Sequence, residues 1–202
     1  HTQRTTNTLN TKFDFTWQIN NAHSLKVGLS RTNYNLDNKY RTIRNAYAGT
    51  SLDADYYSPE VLGDNTIYSD IYDVKPNEIS LYLQDKFEKD EIVINYGLRY
   101  DAFDANTTYP SQRRNPTNSS TYYLTKLDGS DSLNSNGELI IDESRMSKPI
   151  KTSIATQLSP RLGFAYQLGR VAVLHFSYGH FLQMPPMSSI YENKSSIIGP
   201  TD

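Results

Sequence analysis

Apolar and polar positions alternate strictly along much of this chain. Leu9, Phe13, Phe15, Trp17 and Ile19 share one parity, while Asn10, Lys12, Asp14, Thr16 and Gln18 hold the other. Side chains that alternate with a period of two lie on opposite faces of an extended strand, so this run predicts a strand with one apolar and one polar face. Asn20 and Asn21 supply turn chemistry, and Leu25, Val27 and Leu29 resume the pattern, completing a hairpin. The same unit returns further on. Ile79, Leu81, Leu83 and Phe87 alternate with Ser80, Tyr82, Gln84 and Lys86. After a charged turn at residues 88 to 91, Ile92, Ile94, Tyr96, Leu98 and Tyr100 alternate with Val93, Asn95, Gly97, Arg99 and Asp101. A third hairpin sets Leu162, Phe164, Tyr166 and Leu168 against Arg161, Gly163, Ala165 and Gln167. It turns at Gly169-Arg170 and returns with Leu174, Phe176 and Tyr178 opposite His175, Ser177 and Gly179 in parity.

The connections carry as much information as the strands. Turns within each hairpin are a few residues long, whereas the polar segments between hairpins, at about 37–75 and 105–156, are far longer than ordinary connections. The second of these contains its own hairpin signal at Asn136-Gly137. A soluble sandwich has no reason to alternate very short with very long connections; an outer-membrane barrel has short periplasmic turns and long external loops. The expected fold is therefore all-β: an antiparallel transmembrane β-barrel, of which residues 1–202 form one fragment, a partial arc of about six strands.

Composition narrows the function classes. The 202 residues carry a formal net charge of −2, so no basic face advertises nucleic-acid binding. There is no cysteine, which excludes disulfides, thiolate metal sites and cysteine nucleophiles. A mean hydropathy of −0.64 does not argue against a membrane, because a barrel strand averages its lipid and lumen faces. Tyrosine is abundant, 16 residues against one Trp and 7 Phe, and its apolar ring with a polar tip suits membrane interfaces and recognition loops. The stretch HTQRTTNTLN shows neither an initiator Met nor a signal peptide, so the chain reads as an excerpt of a longer protein. No G-x-S-x-G elbow, H-E-x-x-H helix or phosphate-cradling loop occurs, and the chain is expected not to be an enzyme and to need no cofactor.

Four segments carry a family resemblance. They are Tyr82-Leu83-Gln84-Asp85, Gly97-Leu98-Arg99-Tyr100-Asp101, Ser159-Pro160-Arg161-Leu162-Gly163, and Tyr178-Gly179 with Pro185-Pro186 downstream. In their order and spacing they resemble the barrel of TonB-dependent outer-membrane receptors, and "YGHFLQMPP" is most similar to the branch found in Bacteroidota-like bacteria. The resemblance covers about residues 78–190. It implies a 22-stranded barrel in the outer membrane of a Gram-negative bacterium, a separate plug domain absent from this chain, and energy-dependent ligand uptake driven through that plug by the TonB complex. It implies membrane lipid as surroundings and leaves room for a surface lipoprotein or another envelope subunit as partner. Two other functions remain open: a passive porin or adhesin barrel, and a receptor-like structural subunit of a larger envelope complex.

Candidate functional residues follow from parity and placement. Arg99, Arg161 and His175 lie on the polar parity and are expected to face the lumen, as solvated or plug-contacting groups or in transport. Asp85 lies on the lipid parity, near the turn, where a charge costs little. Tyr56, Tyr57, Tyr68 and Tyr72 in the first long loop, and Tyr109, Tyr122 and Tyr123 in the second, are the ligand-binding candidates, because tyrosine offers rigid contact area on a loop. No metal site is expected. His175 has no second ligand beside it, and neither Asp53 with Asp55 nor Asp70 with Asp73 has the glycine-containing spacing of a calcium loop.

Overall fold

A computed structural model describes residues 2–64, 66 and 68–192. Eleven strands and one short helix follow in chain order. They are β1 (Thr2–Gln18), β2 (His23–Arg41), β3 (Ile43–Asn45), β4 (Pro59–Val61), β5 (Ser69–Val74), β6 (Asn77–Lys89), β7 (Ile92–Asp104), β8 (Thr108–Pro110), β9 (Pro149–Lys151), β10 (Ala155–Leu168), β11 (Ala172–Gly179) and α1 (Met187–Tyr191). The main sheet is antiparallel in the order β1-β2-β6-β7-β10-β11, with β5 also on β2. Its outer strands do not meet, so the sheet is an open arc of barrel wall. No helix among the described residues is long and apolar enough to cross a membrane.

β5 and β6 are one strand interrupted by proline. Asn33 pairs with Asn77 and Leu36 pairs with Val74, so the register passes unshifted across Lys75 and Pro76. The Tyr34 amide donates to the Pro76 carbonyl at 3.0 Å, but Pro76 has no N–H to return, and the ladder lapses there. Residues 37–41 and 69–74, expected within the first long loop, are thus paired strand, and only the segment between them is loop. The alternation could not reveal this. From Arg31 to Arg41 the apolar parity is taken over by Arg31, Asn33, Asn35, Asp37, Lys39 and Arg41, so the hydrophobic signal ends while the hydrogen bonds continue.

The two faces are the ones the alternation predicts. Register places Phe13, Leu29, Leu81, Tyr100 and Leu158 in one row, with Phe15, Tyr96, Phe164 and Phe176 on the same face. Arg99, Arg161, Ala165 and His175 lie on the opposite face. The polar face is the occluded one. Ser80, Asp101 and Ser159 retain 4, 3 and 1% exposure, while their apolar-face neighbours Leu81, Tyr100 and Leu158 retain 47, 41 and 59%. Crowding of small polar residues beside open leucines is what a curved sheet produces on its concave side, so the polar face lines the interior and the apolar face meets lipid.

Pro160 shows how a proline fits inside such a wall. It sits mid-strand in β10, opposite Leu98 of β7, and its carbonyl accepts from the His180 amide at 3.1 Å. Its missing N–H faces that same side, where β11 has just ended at Gly179. The absent donor therefore falls at the last rung of the ladder, where least is lost.

Beyond β11 the chain folds inward. Residues 180–186 are irregular, Pro186 caps α1, and Tyr191 buries its ring against Tyr72 at 5.6 Å between centroids. Its hydroxyl donates to the Ala105 carbonyl at 2.7 Å. Leu36, Tyr72, Val74, Phe103 and Ala105 complete this apolar cluster, with Met184, Met187 and Ile190 packed on it. Leu36, Tyr72, Val74 and Phe103 belong to the polar parity, so the cluster occupies the concave face at the end where the long connections emerge.

Candidate functional site

Two rungs of the concave face hold the arginines. Ser80 pairs with Asp101, and Tyr82 with Arg99, on β6 and β7. Residues two apart on a strand share a face, so Arg99 and Asp101 are natural partners. Arg99 Nε donates to both Asp101 carboxylate oxygens at 2.9 Å, its Nη2 donates to Ser80 Oγ at 2.9 Å, and the Ser80 hydroxyl donates to Asp101 Oδ1 at 2.7 Å. With Asp101 nearly closed off from solvent, this closed triangle is a satisfied ion pair, which fixes Arg99 as part of the wall.

Arg161 is placed differently. Two register pairs down the ladder from Arg99 and Ser159, it stands between Gly97 on β7 and Gly179 on β11. Among the described residues it has no hydrogen bond or ion pair; its guanidinium lies 5.3 Å from the Phe181 ring centroid. His175 is exposed on the same face opposite Ala165, and no group of three metal-ligating side chains occurs among the described residues.

Two further polar constellations tie strands together. The Tyr82 hydroxyl donates to Asp14 Oδ1 at 2.5 Å across Gly28, which is the register partner of both. On the lipid face, Asp85 Oδ2 lies 2.7 Å from His23 Nδ1 and accepts from the Tyr96 hydroxyl at 2.7 Å. Asp85 therefore carries its own polar partners next to the short turns, a device invisible to parity alone.

The loop tyrosines do not form one site. Tyr56 and Tyr57 are exposed, at 59 and 71%, and Tyr56 lies 6.0 Å from Tyr47 between ring centroids. The Arg44 guanidinium covers the Tyr68 ring at 4.2 Å, and that of Arg145 covers Tyr122 at 3.8 Å. Tyr109 is exposed on β8, and Tyr123 bridges to Ile141 around two tight turns, one at Gly129 with φ +83° and one at Gly137 with φ +80°. Tyr72, expected on the loop, is instead a strand residue at 7% exposure in the apolar cluster, because β5 continues the wall upward. Arg41 Nε donates to Asp64 Oδ1 at 2.8 Å, and this pairing holds the Asp64 carboxyl below the usual carboxylate range.

Comparison with known proteins supplies the family. The outer membrane beta barrel domain family matches residues 1–199. No curated protein and no solved structure matches.

Proposed function

The chain belongs to the outer membrane beta barrel domain family, and on that premise we propose that it forms part of the wall of an energy-dependent importer, a TonB-dependent receptor in the outer membrane of a Gram-negative bacterium. One observation carries the reading. The four segments that resemble such receptors fall on neighbouring strands and in a single register: Gln84 pairs with Gly97, Gly97 with Arg161, and Arg161 with Gly179. Scattered motif matches have no reason to align as one row across four strands. In this reading a plug domain fills the lumen and couples to the TonB complex, and the tyrosine-bearing loops receive the ligand or a surface lipoprotein that delivers it. The inward fold of α1 over Tyr72 and Phe103 supports a mouth that is partly covered at rest.

The passive pore is the competing reading, and conductance separates the two. A wide barrel without an occluding element conducts ions freely. The full-length protein in a planar bilayer is expected to show little steady conductance, and uptake by cells is expected to stop when the proton gradient is collapsed. Large open channels, or uptake indifferent to an uncoupler, would establish the porin instead.

A further inference from the structure

The row Gln84–Gly97–Arg161–Gly179 leaves one guanidinium standing in a clearing. Gly179, where an added Cβ would lie 3.6 Å from Arg161 Cγ, and Gly163, two residues along the same face, leave the space beside Arg161 without side chains of their own. What remains is an open cavity of about 530 Å³. The side amides of Gln84 and Asn95 and the hydroxyl of Ser177 line it beside Arg161, and Phe181 stands at its edge with 74% of its surface exposed.

Asp101, a carboxylate whose field reaches Arg161, is already closed into the triangle with Arg99 and Ser80. Among the described residues, Arg161 thus differs from Arg99 in having no carboxylate paired with it. Its fork of donors fits a carboxylate in two parallel hydrogen bonds. The two amides and the hydroxyl can add further donors, and the exposed Phe181 ring offers an apolar platform that already stacks over the guanidinium.

We propose that this cavity is a lumen-wall binding site for a small-molecule carboxylate with an apolar or aromatic body. The carboxylate pairs with Arg161 and accepts from Gln84, Asn95 or Ser177, while the apolar body lies against Phe181. The site deepens the importer reading, and it rests on that reading only in assigning the polar face to the lumen. Its test measures binding without transport, so the two can fail separately.

The test uses the full-length protein in lipid nanodiscs with benzoate as probe and benzyl alcohol as its uncharged control, read by saturation-transfer NMR. Benzoate is expected to bind at least about tenfold more tightly than benzyl alcohol, since a charge-assisted pair is worth more than a neutral hydrogen bond. Arg161→Met should abolish the preference for benzoate, Arg161→Lys should recover part of it, and Phe181→Ala should weaken benzoate while keeping the preference. Retained gel mobility of the folded barrel shows that each variant is assembled. Equal benzoate binding by wild type and Arg161→Met overturns the proposal, as does absence of benzoate binding to wild type. In the latter case phenylglyoxal identifies the reason: an Arg161 that resists modification is held by an acidic side chain of the protein itself, and one that reacts is merely solvated.

Discussion

Tyr82 spans Gly28 to donate a hydrogen bond to Asp14, so a single side chain joins three consecutive strands on the concave face. The bridge exists because Gly28 has no side chain. A Cβ at that position would lie 2.1 Å from Tyr82 Cε1 and 2.6 Å from Asp14 Oδ1. Gly28→Ala is therefore expected to destabilise the assembled barrel by about 1–3 kcal/mol, the ordinary cost of overpacking, and Tyr82→Phe by about 1 kcal/mol for the lost hydrogen bond. Urea unfolding of the full-length protein in lipid measures both. The two changes should not add, because Gly28→Ala displaces the ring that Tyr82→Phe alters.

Topology can be read from chemical labelling. β11 ascends from the turn at Gly169-Arg170, and the chain leaves the sheet after Gly179, on the side where the long connections emerge. A cysteine introduced at exposed Ser189 should react with a membrane-impermeant maleimide in intact cells, and one at Asn21 only after the outer membrane is broken. The reverse pattern would invert the barrel.

Burial of Tyr191 gives α1 a pH limit. Desolvation, with the nearby Asp104 charge, pushes the Tyr191 phenol up to about 12, above the value of about 10 for a free tyrosine. A raised folded-state value favours the packed, protonated form, so this stabilisation is complete below about pH 10 and is lost as the pH rises toward about 12. A fluorophore on a cysteine at position 189 should report constant surroundings up to about pH 10 and release of the segment above it. Tyr191→Phe should remove that transition and lower the stability of the docked segment at neutral pH by about 1 kcal/mol, because the bond to the Ala105 carbonyl is gone.

The first long loop can be shortened only as far as its strands permit. Removing residues 46–57 takes away Tyr56 and Tyr57 and leaves both flanking strands intact, so ligand binding should weaken while the barrel still assembles. Removing residues 53–72 deletes four residues of β5 that pair with Lys39, Tyr40, Arg41 and Asn38 of β2. That cut should lower the melting temperature of the barrel, visible as loss of its heat-modifiable gel shift at a lower temperature.

What could be read from the sequence follows from where one face met lipid. Phe13, Phe15, Leu81, Leu83, Phe164 and Phe176 must be apolar because they face hydrocarbon, so their period of two is clear and fixes strands, faces and turns. Above the membrane that constraint vanishes. Asn33, Asp37 and Lys39 remain in the ladder although nothing in their hydropathy says so. Arg99 and Arg161 share the face opposite the leucines, but whether each has a partner depends on register: Asp101 is within reach of Arg99, while among the described residues no carboxylate pairs with Arg161. Nor could parity locate Tyr191, whose burial comes from a five-residue helix folding back across the sheet.

The unshifted register through Pro76 also changes how the first loop behaves as a polymer. A free coil of the expected length, residues 37–75, would spread its tip over roughly 35 Å, scaling with the square root of residue number. The paired ribbon of β2 and β5 instead carries the two ends of a shorter segment as a stiff mast, fixing where that segment begins and ends. Tyr56 and Tyr57 then search a smaller volume at a higher local concentration, and a ligand that meets them forfeits less chain freedom on capture.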